Sequence, residues 1–308
     1  MNIREKIKNE IVYFDGGMGT LLQSMGLKSG ELPEMWGLIH PDKIISVHEA
    51  YLLAGADVIS ANTFGANALK YGEHIEGMPD LKTVIEMAVM CAKTAVSKVG
   101  GKKRYVALDI GPTGKLLKPL GDLNFEDAVN IFKKTIEIGV NAGVDLILIE
   151  TMNDSYETKA AVLAAKETCD LPVFVTNTYD ERGKLMTGAD PASMVAMLEG
   201  LRVDALGVNC GLGPDKLEGV VKKLLEVSSV PVIVTPNAGL PSFDGKKTTY
   251  DIDEKQFSDK MAEFARLGVH GLGGCCGTTP EHIGYVVMKT KDIPAKEITD
   301  KNIIFFSS

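Results

Sequence analysis

Ala142-Gly143-Val144-Asp145-Leu146-Ile147-Leu148-Ile149-Glu150 is the stretch that decides the fold. Its apolar run is continuous and bounded by an acid at each end, the pattern of a strand buried on both faces. Gly143 suits the left-handed residue that closes the preceding helix cheaply. The phrase recurs in Ala54-Gly55-Ala56-Asp57 and Leu267-Gly268-Val269-His270. Working outward, eight runs are predicted as parallel strands: 12–15, 57–62, 104–110, 145–150, 173–178, 205–209, 232–236 and 269–273. Each is followed by helical spacing, as over 43–54, 125–142, 157–169, 191–201, 215–227 and 254–267. Eight βα units in 308 residues predict an α/β fold of the closed (β/α)8 TIM barrel type. A doubly wound sheet would leave two of these runs at edges for which they are too apolar.

Hydrophobic residues make up 45% and charged residues 24%, which is ordinary for a globular chain able to bury a large core. The net charge of −8 argues against a nucleic-acid partner or an anionic membrane surface. No apolar run reaches the length of a membrane span, and residues 1–10 read as a short charged amphipathic helix without a signal core. A cytoplasmic, reducing setting is therefore expected, where five cysteines point to metal, catalysis or burial before disulfides. Residues 1–295 are assigned to the barrel and 296–308 to a C-terminal tail ending in Ile303-Ile304-Phe305-Phe306-Ser307-Ser308. The tail either packs back on the barrel or leads toward further modules.

In such barrels the chemistry sits at the C-terminal ends of the strands. Those positions hold Asp15, Asn62, Asp109, Glu150, Asn177, Cys210, Asn237, Cys275 and Cys276. Strands six and eight have one neighbour between them, so Cys210 faces the same cavity as Cys275 and Cys276. Adjacent side chains on a regular strand oppose each other, so one shared ion requires the strand to break at Cys275. Gly273, Gly274 and Gly277 are read as supplying that freedom. Three thiolates with one position open describe a catalytic zinc site, and sulfur ligands select zinc over magnesium or calcium. A helix starting at Thr278-Thr279-Pro280-Glu281 would set its positive end beside two of the thiols. The competing reading, a buried small hydrophobe, fits Cys91 and Cys169 on apolar helix faces.

Asp15-Gly16-Gly17-Met18-Gly19-Thr20 is a glycine-rich turn whose amides can hold a carboxylate or phosphate, with spacing wrong for a dinucleotide fingerprint. Asp15 and Glu150 can together accept an ammonium, or serve as ordinary cap and loop acceptors. Asn237 can occupy a metal's fourth position or simply form a turn. The histidines, His40, His48, His74, His270 and His282, lack zinc-like pairing and read as structural or surface residues. The turn from Thr278 to His282 is also suited to phosphate, which makes a barrel lyase or isomerase the competing enzyme class. A structural zinc in an interaction scaffold is the non-enzymatic alternative.

The motifs Asp15-Gly16-Gly17-Met18-Gly19-Thr20, Asn62-Thr63-Phe64-Gly65-Ala66-Asn67, Asp109-Ile110-Gly111-Pro112-Thr113-Gly114, Gly207-Val208-Asn209-Cys210, Pro236-Asn237-Ala238-Gly239 and Gly273-Gly274-Cys275-Cys276-Gly277-Thr278-Thr279-Pro280-Glu281-His282 resemble the homocysteine S-methyltransferase family. Within it the nearest likeness is to the N-terminal homocysteine-binding module of cobalamin-dependent methionine synthase, over residues 8 to 290. The resemblance implies zinc on Cys210, Cys275 and Cys276, and homocysteine as methyl acceptor. It implies that Asp15 and Glu150 hold the substrate ammonium and that the Gly16 and Gly17 amides lie near its carboxylate. It places Asn237 at the zinc's fourth position when substrate is absent. The donor it implies is methylcobalamin, on another module or in trans as a methyl-corrinoid protein fed by methyltetrahydrofolate. S-Methylmethionine and betaine are the alternative donors.

Overall fold

The apolar runs close into one parallel ring in the computed structural model, which describes residues 1–71, 77–243 and 248–301. The barrel strands are β1 (Val12–Tyr13), β2 (Val58–Ser60), β3 (Tyr105–Ile110), β4 (Leu146–Met152), β5 (Val173–Asn177), β6 (Ala205–Asn209), β7 (Val232–Thr235) and β10 (Gly271–Leu272). A short antiparallel hairpin, β8 (Pro241–Phe243) and β9 (Thr248–Tyr250), sits between the last two. The ring runs β1-β10-β7-β6-β5-β4-β3-β2, with each pair parallel. It closes through a bridge between Phe14 and Val58, where Asp57 N–H donates to Tyr13 O (2.7 Å) and Asp15 N–H to Val58 O (3.1 Å). Expected and observed barrel strands agree in place and number; six are one to three residues shorter, β6 keeps its expected bounds, and β4 starts one residue later and runs on to Met152.

The helices are α1 (Ile3–Asn9), α2 (Met18–Ser24), α3 (Trp36–Ile39), α4 (Pro41–Ala54), α5 (Leu81–Val99), α6 (Phe125–Ala142), α7 (Ser155–Thr168), α8 (Pro191–Gly200), α9 (Glu218–Val227), α10 (Glu254–Leu267) and α11 (Pro280–Thr290). Gly55, Gly143 and Gly268 close α4, α6 and α10 at φ of 115°, 83° and 119°, conformations that cost glycine little. No helix among the described residues is long and apolar enough to cross a membrane.

Two cores follow from the period-2 alternation of the strands. Outward residues such as Ile147, Ile149, Val175 and Val208 pack against the helices. Inward residues Val12, Phe14, Val58, Ala107, Leu146, Leu148, Phe174 and Ile233 fill the barrel itself. Helix α1 stops the N-terminal end of this inner core with Ile3 and Ile7, both buried. Ile7→Ala leaves a cavity there and is expected to cost about 3 kcal/mol in chemical denaturation. An unchanged midpoint would show that the plug carries no stability.

Of the histidines, His48, His270 and His282 are buried, and His74 lies outside the described residues. His270 Nε2 meets Lys296 O (2.8 Å), and Lys301 N–H donates to Ser229 Oγ (3.0 Å), so residues 296–301 follow the barrel surface. The Ile303 to Ser308 segment lies outside the described residues.

Candidate metal centre and its acid-lined cavity

Continuing the inward alternation by one step carries each strand from apolar to polar. Val58 leads to Ser60, Ala107 to Asp109, Leu148 to Glu150, Phe174 to Thr176 and Ile233 to Thr235. A small cavity lies at this level, floored by Phe14, Leu148 and Ile233 and walled by Asp15, Glu150 and Thr235 among others. The change from core to site is thus one layer of the barrel.

Cys210 follows β6 in the left-handed conformation (φ 57°), with Gly211 after it at 68°. Its N–H donates to Thr235 O (3.1 Å). Cys275 and Cys276 lie beyond β10, where the alternation of strand side chains no longer applies. Their turn is pinned from three sides: Gly274 N–H to Asp15 O (3.0 Å), Cys275 N–H to Pro236 O (2.8 Å) and Ala238 N–H to Cys276 O (3.0 Å). The three sulfurs lie within 4.8 Å of one another and could hold a metal ion. Among the described residues no other group of three or more His, Cys, Asp or Glu does so.

The glycines act differently from the sequence expectation. Only Gly277 needs a left-handed backbone (φ 80°). Gly273 and Gly274 are there for space: a Cβ would meet Phe14 Cβ at 2.7 Å in the first and Thr278 Oγ1 at 2.3 Å in the second. The following helix begins as expected, with Thr279 and His282 forming a capping box and Pro280 in the first turn.

The thiols share their protons unequally. Cys276 is pushed down because Cys210 and Cys275 both hydrogen-bond to its sulfur. Cys275 is pushed up by its hydrogen bonds to Cys210 and Cys276, and then by burial. A cluster of soft donors in which one thiol is made easier to ionise by its neighbours suits a thiophilic cation. A further donor comes from Tyr250, whose phenol hydrogen-bonds to Cys276. Hairpin strand β9 brings Tyr250 in, and its ring lies where a Cβ on Gly277 would sit, 2.3 Å from Cγ. Neither hairpin nor tyrosine was anticipated; the only local signal is the β-prone Thr248-Thr249-Tyr250.

Among the described residues no lysine, arginine or histidine forms an ion pair with Asp15, Asp109 or Glu150. Asp15 is buried and accepts from Ser60 N–H (2.8 Å) and Ser60 Oγ (3.1 Å); burial still raises it to about 7. Glu150 is raised to about 8, first by burial and then by Asp15 and Cys276. Asp109, named at its strand end but given no role, is raised by burial and then by Glu150. Glu34, which the sequence reading missed, adds to this field; it is buried and accepts from Gly65 N–H (2.7 Å) and Tyr71 OH (3.0 Å).

The remaining expected residues divide. Gly17 N–H donates to Thr278 Oγ1 (3.1 Å), while Gly16 N–H has no acceptor among the described residues. A side chain on Gly16 would meet Thr278 Oγ1 at 2.5 Å, so the turn is packed tightly under the cysteine loop. Asn237 Oδ1 accepts from Cys276 N–H (3.1 Å), which ties β7 to the metal-site turn. Asn62 and Asn177 are structural: Asn62 Nδ2 donates to Pro33 O (2.7 Å), and Asn177 Nδ2 to Met152 O and Thr158 Oγ1 (3.2 Å each). Thr278 Oγ1 donates to Cys275 O (2.7 Å) and Thr279 caps α11, so the hydroxyls suited to phosphate are engaged internally.

Residues 12–289 match the homocysteine S-methyltransferase family. The methionine synthase of Mycobacterium leprae is 31% identical over 299 residues, 92% of this chain and 24% of that protein. The methionine synthase of Mycobacterium tuberculosis is 29% identical over 310 residues, 96% of this chain and 26% of its own length. The chain therefore spans about a quarter of the length of these relatives. Among solved structures, the oxidized form of the homocysteine methyltransferase MmuM from Escherichia coli aligns with a TM-score of 0.76 at 23% identity, over 91% of this chain and 96% of that one. Its metallated form gives 0.76 at 23%, over 92% and 97%. These structures share the barrel.

Proposed function

Because the chain belongs to the homocysteine S-methyltransferase family, we propose that it transfers a methyl group to the thiol of L-homocysteine, giving L-methionine, at a zinc ion held by Cys210, Cys275 and Cys276. The observation that carries this reading is the placing of three sulfurs within 4.8 Å of one another beside a cavity lined by the carboxyls of Asp15 and Glu150. When bound, zinc would favour the thiolate form of an incoming thiol near neutral pH and keep that sulfur nucleophilic.

The protein's own groups bind and orient the substrate. Asp15 and Glu150 accept the ammonium, and the cation in turn favours their ionised forms, reversing the cost of burying them. Gly16 N–H, on the glycine turn beneath Cys275, is the amide available to the substrate carboxylate, with Gly17 shaping that turn through Thr278. Asn237 holds Cys276 through its backbone N–H, and the second lone pair of its Oδ1 is the one that would serve the fourth-position role implied by resemblance. The apolar floor of Phe14, Leu148 and Ile233 keeps water from beneath the substrate. The free thiols fit a reducing cytoplasm.

The donor proposed is methylcobalamin or a methyl-corrinoid protein charged from methyltetrahydrofolate, in keeping with the methionine synthase relatives. The test is methionine formation from homocysteine by the zinc-loaded chain with methylcobalamin, methyltetrahydrofolate, S-methylmethionine or betaine. Turnover with methylcobalamin is expected; turnover with none of the four would overturn the assigned reaction.

Tyr250→Phe offers a narrower check. A hydrogen bond to a metal-ligating sulfur orients it and draws off charge. Its loss is expected to change zinc affinity about tenfold in chelator competition, and to move the sulfur-to-metal absorption band of the cobalt-substituted protein. An identical spectrum and affinity would remove Tyr250 from the site.

A further inference from the structure

Two residues other than glycine hold a left-handed backbone at the ends of site strands: Thr151 (φ 59°), next to Glu150, and Cys210 (φ 57°). For a β-branched residue this conformation is an outlier that persists only when its surroundings over-determine it. Asn209 supplies the constraint. Its Oδ1 accepts from Thr151 N–H (2.8 Å) while its Nδ2 donates to Thr151 Oγ1 (2.7 Å). The same Oδ1 accepts from Thr176 Oγ1 (2.9 Å), and its carbonyl from Thr178 Oγ1 (3.0 Å). Asn209 is 0% exposed; its bond from Thr176 is fully buried, and those with Thr151 and Thr178 are partly buried.

Thr151 sits where the β4–β5 register slips between Ile149 and Met152. Leu146 and Leu148 point into the barrel, yet Met152 packs with the outer core, so the alternation reverses after Glu150. Thr151 is therefore the extra residue of a bulge, a device that re-aims a neighbouring side chain. The bulge leaves Glu150 as the last inward residue of its strand. On the other side, the residue that fastens the bulge is the one immediately before Cys210.

We propose that Asn209 is a positioning residue that fixes Glu150 and Cys210 in a single frame, setting the distance between the ammonium subsite and the metal. It touches neither substrate nor metal. The roles of Glu150 and Cys210 rest on the function proposed above; the frame itself rests on the hydrogen bonds and the bulge.

The experiment uses the full chain, with zinc affinity measured by chelator competition, L-homocysteine affinity by calorimetry and folding by thermal melt. Wild type comes first, and failure to bind zinc or homocysteine would sink the functional reading rather than the frame. Asn209→Ala is expected to weaken both affinities by about tenfold or more, the range of second-layer residues at metal sites. Adding Thr151→Gly to Asn209→Ala tests the cause, because glycine takes φ near 59° without strain. Homocysteine affinity is expected to recover severalfold, while zinc affinity stays low because Cys210 remains unfastened. A general loss of packing would give no such selective recovery. If Asn209→Ala does not fold, Thr151→Val removes only the Oγ1 contact and should weaken homocysteine severalfold. Asn209→Ala leaving either affinity intact, no selective recovery, or an inert Thr151→Val would each overturn the proposal.

Discussion

Cys276→Ser is expected to abolish stoichiometric zinc uptake and to lower the rate of methionine formation by about 100-fold or more. Serine replaces the sulfur with an oxygen that is harder and far less acidic, a poor third donor for zinc. Cys276 is the informative position because it is the sulfur to which Cys210 and Cys275 both hydrogen-bond, and on which Tyr250 also converges. The substitution removes the sulfur while leaving the turn's backbone bonds to Pro236, Ala238 and Asn237 available. The folded barrel should therefore survive, and a near-wild-type melt of the metal-free protein is the control. Full zinc content and full turnover in this variant would refute the three-sulfur site.

Glu150→Gln should separate substrate binding from stability, with opposite signs. The Glu150 carboxyl is raised to about 8 and that of Asp15 to about 7, against unfolded values near 4. A carboxyl whose folded pKa is raised contributes stability that is fully present below the unfolded pKa. That stability is lost as pH rises through the folded value. The substrate-free protein is thus expected to lose stability as pH rises above about 4, through about 7 for Asp15 and about 8 for Glu150. Glu150→Gln removes one of these contributions, so its melting temperature should exceed that of wild type at pH 8 and match it near pH 4. Homocysteine binding should move the other way, weakening by at least about tenfold, since a neutral amide cannot pair with the ammonium. Equal stability of the two proteins at pH 8, or unchanged homocysteine affinity, would contradict the assignment.

Much of this was legible in the chain because the signals are local. Apolar runs such as 145–150, ended by acids and preceded by a helix-closing glycine, located every barrel strand. The barrel rule then gave nine strand-end residues, Asp15, Glu150 and the three cysteines among them, but also Asn62 and Asn177, whose side chains are engaged internally. What was not legible depends on contacts distant in sequence. Gly273 and Gly274 look like hinges until Phe14 and Thr278 are seen pressing against them. Tyr250 reaches Cys276 through a hairpin whose own sequence says little about where it folds. Asn209 reads as one more residue of Gly207-Val208-Asn209-Cys210, and its hold on Thr151 exists only once β4 and β6 face the same cavity. Asp109 and Glu34 become part of the acid field only through that closure.

The most direct test of the central claim is the sulfur count around zinc, measured by X-ray absorption on the loaded protein with and without L-homocysteine. Three cysteine sulfurs and an open position should give three sulfur neighbours alone and four with homocysteine bound. A count that stays the same on adding homocysteine would contradict thiol activation at this site.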